Sequence, residues 1–149
     1  MGDLVTTLHV VAAVFIVGPM AILPMIGLQS IRTGNAPTLL RLAKSTNLFA
    51  LLSIIVFLLG FGALAVADAK ERWSITTPWI MTSIILYLVA ASLSLFVTAP
   101  VMRAKAHSLE QEPDTGVAHG ARAYRMIAAG SGLSSLALVA VVVLMVWKP

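Results

Sequence analysis

The chain contains no cysteine. That excludes disulfides, thiolate metal sites and thiol nucleophiles, and it says nothing about redox compartment. Charge is scarce: Asp, Glu, Lys and Arg make up 11% of the 149 residues. A soluble domain carries about a quarter. Aromatic residues are 7%, and the only histidines are His9, His107 and His119. With so few titratable groups there is little from which to build a catalytic centre, and no catalytic residue is expected. What is abundant is apolar. Hydrophobic residues are 59% and the mean hydropathy is +0.96. These values place the chain in the integral-membrane class, as one domain over residues 1–149. The net charge of +4 would suggest a nucleic-acid partner in a soluble protein. Here the bases sit between apolar runs and read as orientation signals, so membrane lipid and not nucleic acid is the expected surroundings.

Four runs are long enough to cross a hydrocarbon core of about 30 Å at about 1.5 Å per residue. They are expected at about residues 4–28, 48–67, 79–101 and 126–146. The first has no formal charge. Met1-Gly2-Asp3 before it lacks a basic n-region, and the run exceeds an h-region, so it reads as a retained span rather than a cleaved signal. Thr6, Thr7 and His9 fall in its first turns, near the headgroups, while Pro19 and Pro24 should kink it. Gly34 and Asn35 are turn residues, and Pro37 suits the first position of a helix that enters the hydrocarbon near Leu48. Trp73 and Trp79 flank the second loop as interfacial aromatics. The third loop, about 103–125, gathers Glu110, Glu112 and Asp114 around Pro113, with Asp114 or Thr115 as a helix cap. No repeat at a fixed period is visible.

Seven of the ten Lys and Arg residues lie around loops 1 and 3: Arg32, Arg41, Lys44, Arg103, Lys105, Arg122 and Arg125. Lys70, Arg72 and Lys148 lie on the other side. The positive-inside rule then places loops 1 and 3 in the cytoplasm and both termini outside.

Small residues mark where helices approach closely. Ala90, Ser94 and Thr98 recur every four residues in the third span. Ala128 with Gly132, Gly130 with Ser134, and Ser131 with Ser135, do the same in the fourth. Gly18 and Gly60 are further packing positions, and Ala128, Gly132 and Ser135 are expected on a protein-facing side. The bulky second half of the fourth span should face lipid or a partner.

One candidate ligand lies within a span, His9. A bis-histidine haem needs a histidine on each of two spans at matching depth, and His107 and His119 fall in the opposite loop. A His/Met pair is the remaining geometry, since Met20, Met25, Met81, Met102, Met126 and Met145 are scattered through the spans. No metal-spaced histidine set exists. All acids and bases lie at span ends or in loops, which disfavours ion transport.

Leu8-His9-Val10-Val11-Ala12 followed by Gly18-Pro19, and Trp79-Ile80 with Ser83 and Leu86-Tyr87-Leu88, resemble a family of small bacterial four-span membrane proteins, itself distantly similar to copper-resistance-type four-helix proteins. In size, span number and Ala/Val-rich character the chain also resembles the accessory subunits of actinobacterial supercomplexes that join cytochrome bcc to a terminal oxidase. The residues and these resemblances together lead to an all-α four-helix transmembrane bundle of the bacterial inner membrane. Its expected role is a non-catalytic accessory subunit without a cofactor of its own, set beside cytochrome oxidase or cytochrome bcc subunits. The alternative is a small haem- or copper-handling protein using His9.

Overall fold

The computed structural model describes residues 2–71, 74–111 and 121–148. The expected cap at Asp114 or Thr115, the turn at Pro113, Trp73 and His119 lie outside the described residues. Among those described there are only helices and short connections. The first span is α1 (Gly2–Ala12), a wide π-helical turn (Ala13–Val17) and α2 (Gly18–Arg32). The second is α3 (Ala36–Glu71). The third is α4 (Pro78–Ser92), a second π-helical stretch (Leu93–Thr98) and α5 (Ala99–Gln111), and the fourth is α6 (Ala121–Trp147). Each is long and apolar enough to cross a membrane, giving a four-helix bundle. Each span packs on its neighbours in chain order, and the first closes on the fourth.

The turn between α2 and α3 follows from three residues. Gly34 has φ 66°, a left-handed conformation that costs glycine nothing. The Asn35 N–H then donates to the Ser30 carbonyl at 2.9 Å and the Gly34 N–H to the Ile31 carbonyl at 3.3 Å. This pattern satisfies the open carbonyls at the end of α2. The Asn35 side chain accepts the Thr38 N–H at 3.1 Å, so α3 is capped as it starts.

Both π-helical stretches end two residues before a proline, Pro19 in the first span and Pro100 in the third. A proline has no N–H to close the helical ring, and the helix absorbs the defect by widening just upstream. Pro24, fully buried, has no such stretch beside it. The two sites are Phe15-Ile16-Val17-Gly18-Pro19 and Phe96-Val97-Thr98-Ala99-Pro100, with both phenylalanines exposed, 71% and 77%. The bundle is thus two helical hairpins whose leading helices share one device, a likeness that a search for strict periodicity misses.

Two apolar clusters make the core. At the end where α2, α3 and α5 meet, Ile31, Ala36, Leu39, Ala43, Met102, Ala106, Leu109 and Ile127 pack together. Nearer the middle, Met20, Ala50, Tyr87, Ala90, Ala91, Ala137 and Leu138 form the second. Alanine dominates because four backbones can converge only where side chains are short. Met20 and Met102 fill these clusters at 1% and 0% exposure, which explains them as packing residues.

Candidate functional site

His9 is the ionisable side chain that α1 carries into the bundle. Its Nδ1 lies 3.0 Å from the Val56 carbonyl oxygen on α3. A carbonyl only accepts, so Nδ1 carries the proton and donates it. In the neutral ring the lone pair then resides on Nε2. That carbonyl already serves the helical bond of α3, and its second lone pair takes the histidine.

The ring has room because residue 60 is glycine. A Cβ at Gly60 would stand 3.1 Å from His9 Cε1, 3.6 Å from Nδ1 and 3.8 Å from Nε2. Two residues on in α3, a Cβ at Gly62 would stand 3.4 Å from Cγ1 of Val5, which lies about one turn before His9 in α1. Gly60 and Gly62 thus each leave room for a side chain of α1, His9 at the first and Val5 at the second. The apolar segment of α3 continues to Val66, six residues and about 9 Å beyond Gly60. Among the described residues no three His, Asp or Glu side chains converge as a metal would require. His107 lies at the opposite end of the bundle, with Nδ1 3.4 Å from Glu110 Oε2.

A family model described as "Predicted integral membrane protein (DUF2269)" matches residues 3–149. The chain belongs to that family. The match agrees with the four apolar helices and with the likeness to a small membrane-protein family, and it is silent on respiratory complexes. No curated protein and no solved structure matches this DUF2269 chain.

The remaining small residues fall into distinct settings. Ala90 is fully buried at 0%, and its carbonyl accepts the Ser134 hydroxyl at 3.3 Å. Ser94 is buried at 2% in the second π-helical stretch. Ser135 is half-buried and donates to the Ala21 carbonyl at 3.3 Å, tying α6 to α2. Ala128 is half-buried, and its carbonyl takes the Ser131 hydroxyl at 3.3 Å. Gly18 and Gly132 are different: a Cβ at either meets nothing within 4 Å. The close approach expected at Gly132 is made instead by Gly130, where a Cβ would stand 2.9 Å from Thr98 Oγ1. The reason is angular. Two residues along a helix is about 200° of rotation, so Gly130 and Gly132 face opposite ways.

Three features had no counterpart in the sequence reading. Gly27 is one: a Cβ there would collide with the Met102 methyl. The second is a polar and aromatic stack in mid-bundle. Ser53 donates to the Ala50 carbonyl at 2.7 Å, which commits its one proton. Tyr87, 2.8 Å away, must then donate to Ser53 Oγ. The Tyr87 ring lies parallel to Phe57 at 4.8 Å, and Phe61 meets Phe57 edge-on at 4.9 Å. The third is a pair of fully buried hydroxyls, Thr46 and Thr98, that find no hydrogen-bond partner among the described protein atoms.

Proposed function

We propose that this protein is a non-catalytic accessory subunit of a larger assembly in a bacterial plasma membrane, with a respiratory supercomplex as the setting and loops 1 and 3 on the cytoplasmic side. The observation that carries the reading is a lateral groove between the third and fourth spans. It encloses about 270 Å³, with Gly130 and Ala129 as its floor and Leu93, Val97, Met126 and Leu133 as its walls. Small residues open to the side let a neighbouring helix approach closely, which lipid chains do not require. Along α6 beyond Leu133, the side chains of Leu136, Val139, Val142 and Val146 are 71%, 61%, 57% and 70% exposed, so the contact surface continues along the helix. Inside the bundle, Ser53, Ser134, Ser135 and His9 are spent on neighbouring carbonyls, in keeping with a role exercised through the outer surface. The test is extraction of a tagged chain in mild detergent, then a native gel and mass spectrometry of what accompanies it. Migration at the mass of a monomer or small homo-oligomer, with oxidase activity and supercomplex assembly unchanged on deletion, refutes it.

One observation favours a second reading, haem or copper handling. The Nδ1 bond to Val56 presents Nε2 as the free lone pair, the tautomer in which histidines ligate metals while a backbone carbonyl orients the ring. The second ligand would come from a methionine or from another chain. An optical spectrum of the purified protein decides it: a Soret band, or a copper-dependent band, that His9→Ala removes supports this reading, and a featureless spectrum in membranes supplied with both refutes it.

A further inference from the structure

We propose that the cleft between α2 and α6 is a binding site for one anionic phospholipid. It encloses about 390 Å³ and is lined by Met25, Leu28, Gln29 and Arg32 of α2 and Tyr124 of α6. The lining is graded. Met25 and Leu28 form an apolar wall, and one turn further the wall becomes Gln29, Arg32 and the Tyr124 hydroxyl. From Met25 to Arg32 is seven residues, about 10 Å along the axis. That is the distance over which a membrane changes from acyl chain to headgroup.

The polar end is built for an anion. Arg32 Nη2 donates to the Tyr124 hydroxyl at 2.6 Å, and the guanidinium lies 5.0 Å from the centre of the Tyr124 ring. Among the described residues the partner of this charge is an aromatic ring and its hydroxyl rather than a carboxylate. The bond uses one of five N–H donors, and the fork that remains matches phosphate oxygens. The tyrosine accepts here, so its own proton is available to the same ligand. The Gln29 amide adds a further donor.

The surrounding field favours the same occupant. In the sequence, loops 1 and 3 with their flanks carry seven bases against the three acids Glu110, Glu112 and Asp114, and the remaining three bases are matched by Asp3, Asp68 and Glu71. The net charge of +4 therefore falls in the segments around loops 1 and 3, where Arg32 also lies, and basic clefts between spans attract anionic headgroups. A free phosphate would be served by Arg32 and Tyr124 alone. The apolar wall below them is what commits the site to a lipid.

The experiment is thermal unfolding of the full chain in neutral detergent, each variant read against its own lipid-free baseline. Phosphatidylglycerol should raise the melting temperature, and phosphatidylcholine with the same acyl chains should not. Arg32→Gln should weaken the apparent affinity for phosphatidylglycerol about fivefold to tenfold. Met25→Trp, which fills the apolar wall and leaves the Arg32–Tyr124 pair alone, should weaken it as well. Arg41→Gln at the same end should retain the response. The proposal is overturned by equal shifts from both lipids, by a response that survives in Arg32→Gln and Met25→Trp, or by inorganic phosphate reproducing the shift.

Discussion

Replacing Gly60 with valine tests the seat of His9. Any Cβ at that position comes within 3.1 Å of His9 Cε1, and the ring is tethered by its 3.0 Å bond to Val56. Valine adds two methyl groups to that Cβ, so the imidazole must leave. Overpacking at a close helix contact costs about 1–3 kcal/mol. Losing the tether adds about 0.6 kcal/mol, the average for such bonds inside membranes. Against this, valine regains a few tenths of a kcal/mol, roughly, of helix propensity over glycine. The expected net is destabilisation by about 1–3 kcal/mol. In a His9→Ala background the obstacle is gone, and Gly60→Val should be close to neutral. The double-mutant cycle should therefore show a coupling of about 1–3 kcal/mol. The measurement is reversible unfolding in mixed micelles on raising the SDS fraction, followed by tryptophan fluorescence. Additivity within about 0.5 kcal/mol, or a neutral Gly60→Val in the otherwise unaltered chain, would show that His9 does not occupy this seat.

Other positions yield contrasts of the same kind. Gly130→Val should destabilise the bundle by about 1–3 kcal/mol because its Cβ meets Thr98, whereas Gly132→Val should change unfolding by less than about 0.5 kcal/mol; equal effects would contradict the helix rotation. Tyr87→Phe should cost about 0.5–1.5 kcal/mol through the lost bond to Ser53, and Ser53→Ala in the same background should add little. A cysteine introduced at Thr33 should react with a membrane-impermeant maleimide only after the inner face is opened; labelling in intact cells would reverse the proposed orientation.

The sequence by itself determined the class, the number of spans and the loops. These follow from composition and from the length of apolar runs, properties that need no knowledge of neighbours. The turn between the first two spans was equally legible, because Gly34 and Asn35 act on backbone within a few residues. The chain also singled out His9, Gly60, Ala90 and Ser94 as unusual for their setting. What it did not contain was rotation and register. Gly130 and Gly132 look alike in a list of small residues, and only the packed bundle decides that one meets Thr98 while the other opens outward. The partner of His9 on α3, the Val56 carbonyl 47 residues away, was not legible either. The meeting of Arg32 with Tyr124, 92 residues apart, is likewise a product of the first span closing on the fourth. Apolar burial is non-directional and fixes which segments leave water. Side-chain shape and backbone hydrogen bonds fix which faces then touch, and those terms acquire values only once the helices are side by side.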